Sequence, residues 1–165
     1  MGVFDGLHRG HQALLRSCLT LADGAATAVV TFDPHPAVVL APDRAPSQLA
    51  TLEQRLEGLE VLGVDAVRVV TFSDELARES AESFVERVLL AECAASIVVV
   101  GEDFRFGHDR QGDVSLLRTM GERHGFVVAP LAIVGDGRRW SSTTVRAALA
   151  QGDLASANDV LGRPF

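Results

Sequence analysis

The sequence predicts an α/β protein built on a doubly wound parallel sheet. Two observations carry that expectation. Short β-branched runs alternate along the chain with stretches whose apolar residues recur at helical spacing. The length of 165 residues suits one domain spanning 1–165, so those elements must share a core. A first strand should end at Phe4. Leu14, Leu15, Cys18, Leu19 and Ala22 then mark a helix, and residues 26–32 a buried strand. Residues 37–48, rich in Pro and Ala, read as a surface loop. Thr51 and Gln54 form a capping box that opens the next helix. Residues 66–72 give a strand, Phe84, Val85, Val88 and Leu89 a helix, and 96–100 another strand. Asp113 caps a helix running to about His124, and 126–131 is the last strand. Gly152, Asp153 and Gly162 divide the C-terminal stretch into helices over 142–151 and 153–161.

Composition narrows the chemistry. The chain has no Lys and no Tyr, which excludes a Walker-A phosphate loop and Schiff-base catalysis. Fifteen Arg stand against 22 acidic residues, a net charge of −7, so no nucleic-acid partner and no anionic membrane surface are expected. No apolar run approaches the roughly 20 residues of a membrane span, and a cytoplasmic location is expected. Cys18 and Cys93 stand alone, outside any CxxC pattern, and read as buried reduced thiols. The sequence assigns no oligomeric state.

In sheets of this kind ligands bind beyond the carboxyl ends of the strands, and the unusual residues fall in those loops. Gly6-Leu7-His8-Arg9-Gly10-His11 is a turn entering a helix, with His8 and His11 able to share a side. Free amides and the helix dipole, two imidazole N–H groups and the small Gly10 suit a phosphate. A chance pair, or a metal pair lacking further ligands, is the plainer alternative. In Ser141-Ser142-Thr143-Thr144-Val145-Arg146, hydroxyls crowd a helix start and Arg146 lies one turn after Ser142, again suiting a polyphosphate. An ordinary N-cap followed by a solvated Arg is the alternative. The two sites converge only if their strands end at the same sheet edge.

Two further loops suggest pocket walls. Gly101-Glu102-Asp103-Phe104-Arg105-Phe106-Gly107 places two Phe in a polar loop, where they line a flat ligand beside Asp103 or plug the core. Pro34-His35-Pro36 follows a strand, and its prolines stiffen either a pocket wall or a mere connection. His108 and His124 read as surface residues, and Asp136, Arg138 and Arg139 as a solvated turn.

Taken in order, Gly2-Val3-Phe4-Asp5-Gly6-Leu7-His8-Arg9-Gly10-His11-Gln12, Thr31-Phe32-Asp33-Pro34-His35-Pro36, Val100-Gly101-Glu102-Asp103-Phe104-Arg105-Phe106-Gly107 and Ser141-Ser142-Thr143-Thr144-Val145-Arg146 resemble the FMN adenylyltransferase module of bacterial bifunctional riboflavin kinase/FAD synthetase. The likeness spans essentially the whole chain. It implies a Rossmann-like fold and transfer of the adenylyl group of ATP to FMN, giving FAD and pyrophosphate with Mg²⁺ carried on the ATP phosphates and no metal ligands from protein. It also implies roles. His8, His11, Ser142, Thr143 and Arg146 would be catalytic and bind ATP, together with Gly10. Gly2, Phe4 and Asp5 would shape the nucleotide site largely through backbone. Pro34, His35, Pro36, Asp103, Phe104 and Phe106 would border the flavin.

Two features depart from the family's pattern. Only Met1 precedes Gly2, so the sheet is expected to lack most of its first strand. The sequence stops at Phe165, so no riboflavin kinase domain is expected. Another transferase of the His-x-Gly-His superfamily, or a truncated flavin- or nucleotide-binding module with little activity, are the competing readings.

Overall fold

The computed structural model describes residues 1–132 and 140–165. The element order is helix α1 (Arg9–Ala22), strand β1 (Ala28–Asp33), α2 (Pro36–Leu40), α3 (Leu52–Val61), β2 (Ala66–Thr71), α4 (Asp74–Arg78), α5 (Ala81–Phe84), β3 (Ile97–Gly101), α6 (Val114–His124), β4 (Val127–Leu131), α7 (Ser142–Ala150) and α8 (Leu154–Leu161). The α/β class is as expected. Among the described residues the strands form two two-stranded sheets, β1 with β2 and β3 with β4, and not one continuous sheet. β3 and β4 pair in parallel from Ile97 opposite Val127 to Gly101 opposite Leu131. The first pair is parallel too, because Ala66 N donates to Thr27 O (3.1 Å) and Phe72 N to Asp33 O (3.0 Å) with the same sequence offset. Three consecutive buried positions in β1 (Val29–Thr31) and four in β3 (Val98–Gly101) follow from strands covered on both faces.

Local chemistry sets the element ends. The α3 capping box forms, with Gln54 N donating to Thr51 Oγ1 at 3.3 Å and Thr51 N to Gln54 Oε1 at 3.0 Å. Asp113 caps α6 through Leu116 N at 2.9 Å, and Asp153 caps α8 through Ser156 N at 2.9 Å. Three expectations need correction. Residues 37–48 are not all loop, because Pro36 presets the first turn of α2 and Pro42–Arg44 form a 3₁₀ turn. The third helix is not uniformly α, since α5 continues as π-helix over Val85–Glu92. Cys18 and Cys93 are free but only half-buried, and what burial they have raises both thiol pKa values.

The chain divides into two compact units, each assembled from separated segments. One comprises Met1–Gly2, Ala28–Ala45 and Arg68–Ala132; the other comprises Val3–Thr27, Pro46–Val67 and 133–165. The first has a core of β-branched and aromatic side chains centred on Val30, Val85, Val88, Val100, Leu117 and Phe106. In the second, α7 and α8 pack through Val145, Ala148, Ala157, Val160 and Leu161, with Trp140 and Leu49 against them. Among the described residues no helix is long and apolar enough to cross a membrane. The expected turn at Asp136, Arg138 and Arg139 lies outside the described residues.

Candidate active site

The turn into α1 is built on left-handed backbone at Phe4 (φ 56°), Gly6 (81°) and Leu7 (46°). Glycine adopts that conformation freely, whereas Phe4 and Leu7 do so at roughly 1–2 kcal/mol each, offset by burying both side chains. Gly6 is required twice over, because a β-carbon there would also lie 3.0 Å from Leu49 Cδ1. The turn's carbonyls are then tied down one by one. Arg55 Nη1 donates to Val3 O (3.0 Å), Gln12 Nε2 to Leu7 O (2.9 Å) and Arg163 Nη2 to Gly6 O (3.2 Å). Gln12 Nε2 also reaches Leu161 O at 2.9 Å, fastening the end of α8 to the same turn.

His8 caps α1. Its Nδ1 accepts from His11 N at 3.3 Å, so a neutral His8 carries its proton on Nε2. The His8 and His11 rings stack with centroids 3.6 Å apart and planes at 20°, and Phe4 lies 5.0 Å beyond His11. Burial lowers the pKa of His8 to about 4, the charge of Asp5 opposing the shift only in part. Burial, and then His8 itself, hold His11 well below the ordinary histidine value. Both rings are therefore neutral near pH 7. His11 Nδ1 is the one buried side-chain N or O atom among the described residues with no hydrogen-bond partner. Leaving such an atom open costs roughly 1–3 kcal/mol, a cost that functional sites tolerate. Gly10 is buried in the first turn of α1.

The start of α7 comes to this turn. Ser141 is the N-cap, accepting from Thr144 N at 3.2 Å, which frees Ser142 to donate its hydroxyl to Asp5 O at 2.8 Å. Thr143 is exposed. Arg146 is not a solvated arginine. Its Nη2 pairs with Asp5 Oδ2, its Nε donates to Ser47 O at 2.7 Å, and its side chain is 20% exposed. The Asp5 carboxylate, 4% exposed, also accepts from Leu49 N (2.9 Å) and Ala50 N (3.1 Å). Residues more than a hundred positions apart in sequence thus share one cluster, in which two neutral imidazoles, a helix N-terminus and a guanidinium lie around one turn.

Asp5 organises the cluster through its carboxylate as well as through its backbone carbonyl. Arg55, Gln12 and Ser47 were not singled out from the sequence. Arg55 had a signal, occupying the apolar stripe of α3 between Leu52 and Leu59, where an arginine is buried only with acceptors. Gln12 and Ser47 carried none, since Gln12 acts through the Leu7 and Leu161 carbonyls and Ser47 through its own backbone carbonyl, offered to Arg146.

The residues expected to border a flavin, and Gly2, fall in the other unit. Gly2 N donates to Val30 O at 3.0 Å. The Asp33–Pro34 peptide is cis. His35 is the N-cap of α2, its Nδ1 accepting from Ala37 N at 3.0 Å, and Pro36 is the first helical residue. Both Phe reach the core of this unit, to different depths. Phe106 is 8% exposed and belongs to the core, whereas Phe104 is half-buried and stacks on it with centroids 5.4 Å apart at 20°. Asp103 is exposed. The glycines flanking this loop serve packing, since a β-carbon on Gly107 or Gly112 would lie 2.7 Å from Ala81. His108 is exposed but tied to Ala77 O at 3.0 Å, and His124 lies 3.9 Å from Glu86.

Comparison with known proteins identifies the family. Residues 1–144 match the family model described as FAD synthetase. The chain is 39% identical over 168 residues to the bifunctional riboflavin kinase/FMN adenylyltransferase of Escherichia coli (strain K12), covering 100% of this chain and 54% of that protein. It is 43% identical over 169 residues, with the same coverage, to the protein of that description from Pseudomonas fluorescens. The chain therefore spans about half the length of the curated relatives it matches. Among solved structures it resembles one described as a macrolide-efflux protein from Streptococcus pneumoniae, with a TM-score of 0.84 and 26% identity, covering 99% of this chain and 63% of that one. With a family match over most of its length and relatives identical at this level throughout, the chain belongs to the FAD synthetase family.

Proposed function

We propose that this chain transfers the adenylyl group of ATP to FMN, with residues 1–165 acting as the adenylyl-transferring module. An oxygen of the FMN phosphate attacks the α-phosphorus of ATP and forms the new P–O bond. The bond from that phosphorus to the oxygen bridging to the β-phosphorus breaks, and the electron pair leaves with pyrophosphate. No protein nucleophile is required, so the chain need only position reactants and meet the developing charge. The observation that carries this reading is the gathering of His8, His11, Ser142 and Arg146 around the turn at Asp5 in a chain of the FAD synthetase family.

In this reading the α1 N-terminus and its amides receive phosphate oxygens. His8 donates through Nε2–H. His11 is stacked on it, and Thr143 adds an exposed hydroxyl. Among the described residues Arg146 has two of its five N–H groups engaged, by Asp5 and Ser47, and the others serve charge on the phosphates. In this reading Mg²⁺ enters with ATP, carried on its phosphates as part of the substrate. Phe104 supplies an aromatic wall for the flavin, with Asp103 and Pro34–His35–Pro36 at its border. A cytoplasmic location fits two free thiols.

The test is incubation of the chain with FMN, ATP and Mg²⁺ followed by chromatographic separation of the flavins, with riboflavin alone as a control. FAD should form only with Mg²⁺ present, and His11→Ala and Arg146→Ala should each lower turnover by about 10²-fold or more, the scale of losing a transition-state donor. A folded chain that binds flavin without turnover would make it a binding module. One that binds no flavin would point to another transferase.

A further inference from the structure

We propose that Asp5 is the positioning residue for Arg146, and that its carboxylate fixes the direction in which the guanidinium presents its open N–H groups. This rests on the adenylyl-transfer reading. The Asp5 carboxylate serves two kinds of donor: Oδ1 takes the amides of Leu49 (2.9 Å) and Ala50 (3.1 Å), and Oδ2 takes Arg146 Nη2 with a longer second contact from Leu49 N at 3.2 Å. The first set holds the segment that carries Ser47, and Ser47 O in turn receives Arg146 Nε at 2.7 Å. Arg146 is therefore gripped on adjacent edges by two acceptors that both depend on Asp5. Among the described residues its remaining N–H groups, both on Nη1 and one on Nη2, take no partner. The Asp5 carbonyl takes the Ser142 hydroxyl one helical turn earlier, so the same residue fixes where α7 starts and where its arginine points.

A merely structural ion pair would not need this arrangement. Charge pairs this well buried contribute little net stability compared with apolar packing, and their best-attested use is to specify geometry. Asp5 also has an electrostatic cost for the proposed reaction, because a second negative charge stands beside the triphosphate. Its charge weakens ground-state attraction while its geometry serves the transition state. That separates positioning from binding: a residue recruited for ATP affinity would not be an acidic one.

Asp5→Asn isolates the role. The amide oxygen still accepts from Leu49 and Ala50 at the Oδ1 position, while the NH₂ meets Arg146 donor to donor and gives up only the longer 3.2 Å contact from Leu49 N. A misdirected guanidinium should lower kcat by about 10-fold to 100-fold, with the KM for ATP unchanged or reduced because the repelling charge is gone. Turnover of Asp5→Asn/Arg146→Ala should match that of Arg146→Ala alone, since the effect passes through the arginine. Multiplied losses in the double variant, a raised KM for ATP or an undiminished kcat in Asp5→Asn would each overturn the proposal. A second readout needs no turnover. The ¹H–¹⁵N spectrum should contain a solvent-protected Arg146 Nε–H signal, assigned by its loss in Arg146→Ala, that becomes exposed to exchange in Asp5→Asn. Retention of the protected signal there overturns the proposal. A wild-type chain that makes no FAD yet shows and loses this signal removes the adenylyl-transfer reading and supports the placement of Arg146 by Asp5. Should Asp5→Asn fail to fold, Asp5→Glu keeps the charge but moves it by one methylene. It should displace the Arg146 signal and lower kcat, and an unchanged spectrum and rate would overturn the proposal.

Discussion

At the residue level, His8 joins folding to pH. Its pKa drops from 6.5 to about 4 on burial, so between those values the unfolded chain binds more protons and stability rises with pH. The stability that depends on a neutral His8 is present above 6.5 and is lost as pH falls toward 4, amounting to about 3 kcal/mol over the window. Denaturant unfolding at pH 7.5 and pH 4.5 should show a smaller difference between the two conditions in His8→Gln than in the wild type. Equal differences would mean that His8 is not the group responsible. The two histidines were legible as a pair from their spacing, because residues three apart share a helix face. Their neutrality was not, since it comes from burial by side chains such as Phe4 that no local pattern assigns to them.

Among the elements, the 101–112 loop shows how sequence spacing and packing divide the explanation. Its two Phe suggested a pocket wall, whereas its glycines answer to packing: Gly107 has φ 72°, and a β-carbon there would lie 2.7 Å from the Ala81 backbone. Gly107→Ala should therefore destabilise by roughly 2 kcal/mol or more, combining left-handed strain with a backbone clash, as measured by thermal unfolding. Helix ends were the most readable feature of the chain. Thr51, Asp113 and Asp153 each cap the helix that follows, because a cap needs only its own side chain and an amide three residues on. The π-helical run at Val85–Glu92 was not readable, because its apolar residues satisfy the α-helical period equally well. The 3₁₀ turn and short helix within 36–44 escaped notice for a related reason: Pro and Ala serve loops and first helical turns alike.

For the molecule as a whole, the candidate site depends on contacts that join the two ends of the sequence. Gln12 bridges Leu7 O and Leu161 O at 2.9 Å each, and Arg163 reaches Gly6 O at 3.2 Å. Gln12→Ala leaves both carbonyls without this donor and should cost about 1–2 kcal/mol. Hydrogen exchange should then quicken in α8 and in the first turn of α1 together. Faster exchange confined to α1 would show that the glutamine does not couple them.

Composition and spacing alone were enough for the alternation of strands and helices, the helix caps, the exclusion of lysine chemistry and the identity of His8, His11, Ser142 and Arg146 as a polar set. Those features follow from backbone geometry and side-chain chemistry within a few residues, where sequence order and spatial order coincide. The placement of Arg146 on Asp5, the neutral state of the histidine stack, the different depths of Phe104 and Phe106, and the supporting parts played by Arg55, Gln12 and Ser47 came only with the folded chain. Each depends on a carbonyl, a carboxylate or an apolar neighbour brought in from far along the sequence, and on the burial that sets the strength of its electrostatics.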